Sequence, residues 1–226
     1  MGTELLQTVE HETGPNPQWT VLLLHGLGDS GDGWAPIAPE LVRRDWPAVR
    51  FVFPHAPIRP VTINGGMRMR AWYDIVDLED IDSRADEAGL LESAAQVEAL
   101  IDRESQRGIP RPRVILAGFS QGGAIAMAVA LQNPKPLAGL IALSSYLPMP
   151  DRLIGEDHPA HPLPPVFMAH GRHDPVLPHR AGELAAGHLT KLGYTVEWHS
   201  YPMAHEACLE EVNAIADWLS LRFAGA

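Results

Sequence analysis

The chain has 226 residues, of which 46% are apolar, a formal net charge of −11 and one cysteine, Cys208. That length suits a single domain able to bury about 70% of its unfolded surface without staples. The charge repels nucleic-acid backbones and anionic lipid, and one thiol excludes an intrachain disulfide or a thiolate metal cluster.

Residues 1–18 read as an N-terminal extension or an edge strand. MGTELLQTVEHETG carries acids and lacks the basic start and apolar core of a signal peptide. Leu6 stands where a myristoylation signal needs Ser or Thr. No apolar run is long enough to span a bilayer, so the expectation is a cytoplasmic protein. A strand is predicted over 21–25, a short helix over 34–44 and a strand over 50–53. Residues 54–82 hold prolines, Asn64-Gly65-Gly66 and acids, which forbid a long regular element. A helix is expected over 84–106, capped by Ser83, with Leu90, Ala94, Val97, Leu100 and Ile101 on one face. Strands follow over 114–118, 137–143, 165–170 and 195–200. Helices follow over 124–132, 179–192 and 206–223, and 148–165 reads as a proline-rich surface connection. This alternation predicts one α/β domain over 1–226, with a mostly parallel sheet whose site lies at the C-terminal strand ends.

The sharpest motif is LAGFSQGG. Gly118-Phe119-Ser120-Gln121-Gly122 matches G-x-S-x-G between a predicted strand and a predicted helix. Glycines two residues either side of the serine relieve a tight turn and leave its hydroxyl exposed at a helix N-terminus. A serine needs a base, and the base needs a carboxylate to orient it. In this strand–turn–helix context the chain order is serine, acid, histidine. Asp174, after the 165–170 strand, fits the acid, against the alternative of a turn aspartate before Pro175. Among the 11 histidines, His205 opens the last helix on the correct sheet edge and fits the base.

VLLLHGLGDSG (21–31) then has two readings. Gly26, Gly28 and Gly31 spell a dinucleotide fingerprint, but no acid ends the next strand, and Asp29 and Asp32 would crowd a pyrophosphate. The stretch serves better as an oxyanion loop, with the Leu27 N–H joining that of Gln121. His205-Glu206 begins H-E-x-x-H, but position 209 is leucine. No metal and no cofactor are expected. Trp72, Ile75 and Leu177 either line an acyl channel or pack the core. Cys208 reads as a buried small residue of the last helix.

HGLGDSG with Trp34, PHAPIRPVTINGG, WYDI, DEAG, GIPRPRVILAGFSQGG, HGRHDPVLP and YPMAHEAC occur in that order. Over 21–221 the chain resembles the bacterial carboxylesterase, acyl-protein thioesterase and lysophospholipase-like family of α/β-hydrolases. The resemblance implies an α/β-hydrolase fold without a large cap, with a Ser120–His205–Asp174 triad and an oxyanion hole from the Leu27 and Gln121 amides. It implies ester or thioester substrates, small molecules or lipids. The expectation is a carboxylesterase of short to medium acyl chains, acting as monomer or homodimer. The alternatives are a long-chain acyl-protein thioesterase or lysophospholipase, and a non-catalytic binding module on the same scaffold. Two features depart from the family pattern: Arg68-Met69-Arg70-Ala71 before Trp72, and Glu-Ala-Cys after His205. The two arginines either bias substrate charge or are solvated loop charges.

Overall fold

The computed structural model describes residues 5–77, 86–133, 135–153 and 163–224. In chain order its elements begin with β1 (Thr8–Glu12), β2 (Trp19–Leu24), α1 (Gly31–Trp34), α2 (Ile37–Leu41), β3 (Val49–Pro54), β4 (Ile58–Val61) and β5 (Met67–Arg70). There follow α3 (Glu87–Gln106), β6 (Val114–Phe119), α4 (Gln121–Gln132), β7 (Gly139–Leu143), α5 (Pro150–Leu153), β8 (Val166–Gly171), α6 (His179–Lys191), β9 (Val196–Tyr201) and α7 (Leu209–Ala224).

Strands β2, β3, β6, β7 and β8 are buried along their whole length and mostly apolar, with Thr20, Arg50 and His170 as polar exceptions. A strand can be apolar on both faces only when helices cover both. They form the centre of a seven-stranded sheet ordered β1-β3-β2-β6-β7-β8-β9. Only β1 runs antiparallel, against β3, as the N-terminal edge strand. Alternate residues feed two cores, in keeping with the two-residue period of a strand. Leu22 and Leu24 face the layer with α3 and α4, whereas Val21 and Leu23 face the layer with Trp218 and Leu219 of α7.

Beneath the β1 edge lies a charged cluster that the sequence pattern did not reveal. Glu104 of α3 is fully buried and accepts from Thr20 Oγ1 at 2.9 Å, Arg50 at 2.8 Å and Arg107 at 2.9 Å. Arg50 also grips Glu12 of β1 at 2.8 Å. The chain that precedes the sheet is thereby tied to the helix behind it.

Several boundaries differ from expectation. The helix expected over 34–44 is two short pieces, because Pro36 has no amide to continue the first and instead caps the second. The stretch expected to be irregular contains a four-residue hairpin, β4 against β5, turned by Gly65 and Gly66 at positive φ. Helix α3 begins with Asp86, whose side chain accepts from Gly89 N–H. Ser83, the expected cap, lies outside the described residues. The connection expected over 148–165 is not all surface, since Met149 and Leu153 are buried. Cys208, expected as a buried residue of the last helix, precedes α7 and is half-buried; its carbonyl accepts Val212 N–H at the helix start.

Candidate active site

Parallel strands deliver their C-terminal ends to one edge, and the loops after β6, β8 and β9 bring the candidate side chains together there. Ser120 follows β6 at φ 53°, ψ −119°, a conformation that a side-chain-bearing residue holds only under constraint. The constraint is the space around it. A Cβ on Gly118 would meet the Gly122 carbonyl at 2.3 Å, and one on Gly122 would meet the Leu24 carbonyl at 2.3 Å. The two glycines thus let α4 start against β2, with Ser120 at the apex of the bend. Ser120 N–H donates to Leu143 O, and Ser145 Oγ donates to Ser120 O, fixing the bend from the β7 side.

Asp174 lies in the loop after β8. Its carboxylate is fully buried, and Oδ1 accepts from the Val176 and Leu177 amides, both at 2.8 Å. The loop after β9 carries His205. Its Nδ1–H donates to Asp174 Oδ2 at 2.6 Å, and its Nε2 stands 3.0 Å from Ser120 Oγ. The ring packs on Phe119 with centroids 4.8 Å apart. Gly171 allows this loop to close: a Cβ there would lie 2.2 Å from Ala204 O. Ser120, His205 and Asp174 therefore form one hydrogen-bonded chain, reached from positions 120, 174 and 205.

The glycine loop after β2 faces this chain. Gly28 N–H is committed to Arg70 O and Asp29 N–H to Gly26 O. Leu27 lies on the pocket wall beside Ser120 and Gln121. The Gln121 amide is at the first position of α4, where a helix offers it no intrahelical acceptor. His25 braces the loop from beneath. It is fully buried, its Nε2 accepts Ala56 N–H at 3.0 Å, and its Nδ1–H donates to Gly26 O at 2.6 Å. Burial holds its pKa below the ordinary histidine value, so the ring is a neutral strut.

Of the residues expected to contact substrate, Ile75 and Leu177 line the pocket at Ser120. Trp72 is not among its walls. Trp72 is wholly buried: its indole N–H donates to His25 O at 2.8 Å and its backbone N–H to the Gln121 side chain at 2.9 Å. The apolar ring fills the core behind the glycine loop, and its N–H needs a partner there. Sequence reasoning also missed Ile63 and Tyr146, which line the pocket from two further segments, and Val176, beside Leu177 in the loop of Asp174. No local pattern marks them, because only the fold brings these segments together. The pocket holds about 220 Å³. Tyr146, one of its lining residues, is hydrogen-bonded through its hydroxyl to that of Tyr73, whose own pKa burial drives well upward.

Arg68 and Arg70 do not reach the pocket. The Arg68 guanidinium donates to Ile58 O and that of Arg70 to Ala56 O, so both brace the hairpin carbonyls. Among the described residues no cluster of three potential ligands could hold a metal ion, and no helix is long and apolar enough to cross a membrane.

Comparison with known proteins supplies independent findings. The family model described as Phospholipase/Carboxylesterase matches residues 7–222. Acyl-protein thioesterase 1 of Mycosarcoma maydis is 41% identical over 225 residues, covering 93% of this chain and 94% of that protein. Its Neurospora crassa namesake is 43% identical over 211 residues, covering 90% and 86%. Among solved structures, Arabidopsis thaliana SOBER1 superposes with a TM-score of 0.82 at 33% identity, covering 90% of this chain and 98% of that one. Zea mays acyl-protein thioesterase 2 superposes at 0.79 and 27% identity, covering 95% and 99%.

Proposed function

The chain belongs to the phospholipase/carboxylesterase family of α/β-hydrolases and is a serine hydrolase, and we propose that it cleaves acyl thioesters and esters through an acyl-enzyme on Ser120, with long acyl chains preferred. The observation that carries the reading is the Ser120–His205–Asp174 hydrogen-bonded chain at an apolar pocket.

His205 Nε2 takes the Ser120 proton as Oγ attacks the acyl carbonyl. Asp174 holds the ring in the Nδ1–H tautomer and stabilises the imidazolium. The Leu27 and Gln121 amides stabilise the tetrahedral oxyanion, a service worth roughly 2.7–4 kcal/mol for one donor. His205 then hands the proton to the departing thiol or alcohol. Water, deprotonated by the same ring, releases the acid and regenerates Ser120. Every proton is accounted for by one imidazole, and no cofactor enters.

Relatives that carry the name acyl-protein thioesterase favour the thioesterase alternative over a short-chain carboxylesterase. The pocket supports that choice. Among its apolar lining residues, Ile63 and Val176 are 39% and 48% exposed and offer an apolar rim toward solvent. A long chain can continue along that rim, whereas an acetyl group would use none of it.

Ser120→Ala should lower kcat by about 10⁴–10⁶-fold with the fold intact, and near-normal turnover of a p-nitrophenyl ester by this variant would refute the mechanism. Parallel series from acetyl to palmitoyl, on esters and on thioesters, test the substrate class. The expected result is kcat/KM rising with chain length on thioesters; a peak at acetyl esters overturns it.

A further inference from the structure

One polar group beside the catalytic chain has no part in the mechanism above. His170, on β8, is fully buried. Its Nε2 lies 3.0 Å from Leu177 O and 3.3 Å from Asp174 Oδ2, the same oxygen that accepts from His205. Two acceptors face Nε2, so Nε2 carries the proton. Its Nδ1 is buried with no hydrogen-bond partner. Gly182 of α6 makes room for that atom, since a Cβ there would sit 2.5 Å away.

An unpaired buried nitrogen is destabilising, because it gives up water without gaining a partner. A phenyl ring would fill the same space without that cost, so packing alone does not account for an imidazole. What distinguishes imidazole is its Nε2–H. We propose that His170 is a positioning residue for the catalytic chain: its Nε2–H pins the 174–177 turn through Leu177 O and shares Asp174 Oδ2 with His205. The inference rests on the triad reading given above.

The turn is then held from both sides. Asp174 Oδ1 takes the Val176 and Leu177 amides, while Leu177 O takes the His170 proton. The carboxylate is shared between two rings, so the second donor moderates its pull on His205. The titratable groups facing His170 are Asp174, His205 and His179 of α6, and burial holds the His170 pKa below its ordinary value. Trp198 of β9 closes the remaining side.

Removing the donor in His170→Phe leaves the charge on Oδ2 to His205 alone. The imidazolium gains, so the acid limb of the kcat/KM–pH profile moves to higher pH. We expect about half a pH unit, a roughly threefold loss on the acid side, with kcat falling more than KM. His170→Gln, whose amide N–H reaches toward the Nε2 position, should restore the limb. A folded His170→Phe variant with the wild-type limb overturns the proposal. Nitrogen-15 spectra of the wild-type protein decide the matter without any variant. They should show His170 as the neutral Nε2–H tautomer, with its signal shifting as His205 titrates; an Nδ1–H tautomer, or a signal blind to that titration, equally overturns it. Failure of the triad itself reads differently, as turnover by Ser120→Ala.

Discussion

The bend that holds Ser120 can be tested by adding a single methyl group. In Gly122→Ala the new Cβ would lie 2.3 Å from Leu24 O and 2.6 Å from His25 O, both backbone atoms. Because Cβ contacts below 3.0 Å are essentially never seen, α4 and the end of β2 must part by about 0.7 Å in a close-packed interior. Overpacking of this kind costs about 1–3 kcal/mol, or roughly 2–12 °C in Tm for a chain of this size. The same displacement moves Ser120 and the Gln121 amide away from the glycine loop that carries Leu27. Misplacement by 1 Å costs about 10²-fold in rate, so kcat/KM should fall by one to two orders of magnitude, mostly in kcat. Differential scanning calorimetry and steady-state kinetics read the two effects separately. Gly187→Ala is the control: nothing lies within 4 Å of its added methyl, and alanine in that helix should be neutral or stabilising by up to about 1 kcal/mol. If Gly122→Ala behaves like Gly187→Ala in both measurements, the steric account of the bend is wrong.

Trp72→Phe should leave the His25 carbonyl unpaired in the core and cost about 1–3 kcal/mol, with kcat reduced and KM little changed; an unaltered urea midpoint and kcat would remove Trp72 from the support of the oxyanion loop. Glu211 of α7 is buried with neither carboxyl oxygen partnered among the described residues, and burial pushes its pKa to about 8 from 4.5. The folded protein therefore keeps a proton that the unfolded chain has lost, and stability should fall as pH rises from about 4.5 to about 8, by up to ~1.4 kcal/mol per unit. Glu211→Gln should flatten the dependence of Tm on pH over that window, and parallel curves for the two proteins would show that the carboxyl does not carry it.

The parts of the molecule that were legible in the sequence are those encoded locally. Apolar runs such as 114–118 and 165–170 became buried parallel strands, and Gly118 and Gly122 announced the bend at Ser120 because its sterics lie within five residues. Chain order then pointed to Asp174 and His205, and the structure brings both to Ser120. Contacts between distant segments were not legible. His170 looked like one histidine of eleven, and only the fold of the 174–177 turn puts its Nε2 on the acid. An apolar loop residue near the bend, Trp72 could by sequence either line a channel or pack the core, and only the fold decides for the core. The buried Glu104 sat on the apolar face of α3, and although Arg107 lies three residues on, nothing local signalled Arg50 of β3. The β4–β5 hairpin was obscured by Pro60, which the outer strand of a two-stranded ribbon accommodates.

The residues at 120, 174 and 205 hang from three strands, β6, β8 and β9, with β7 between the first two. Slipping any of those pairings by one rung would displace a side chain by about 3.3 Å and turn it to the opposite face. Ester cleavage by this enzyme is thus a readout of long-range register: an excised fragment should be inert, and regain of turnover after denaturation should track completion of the sheet rather than the earlier appearance of helix.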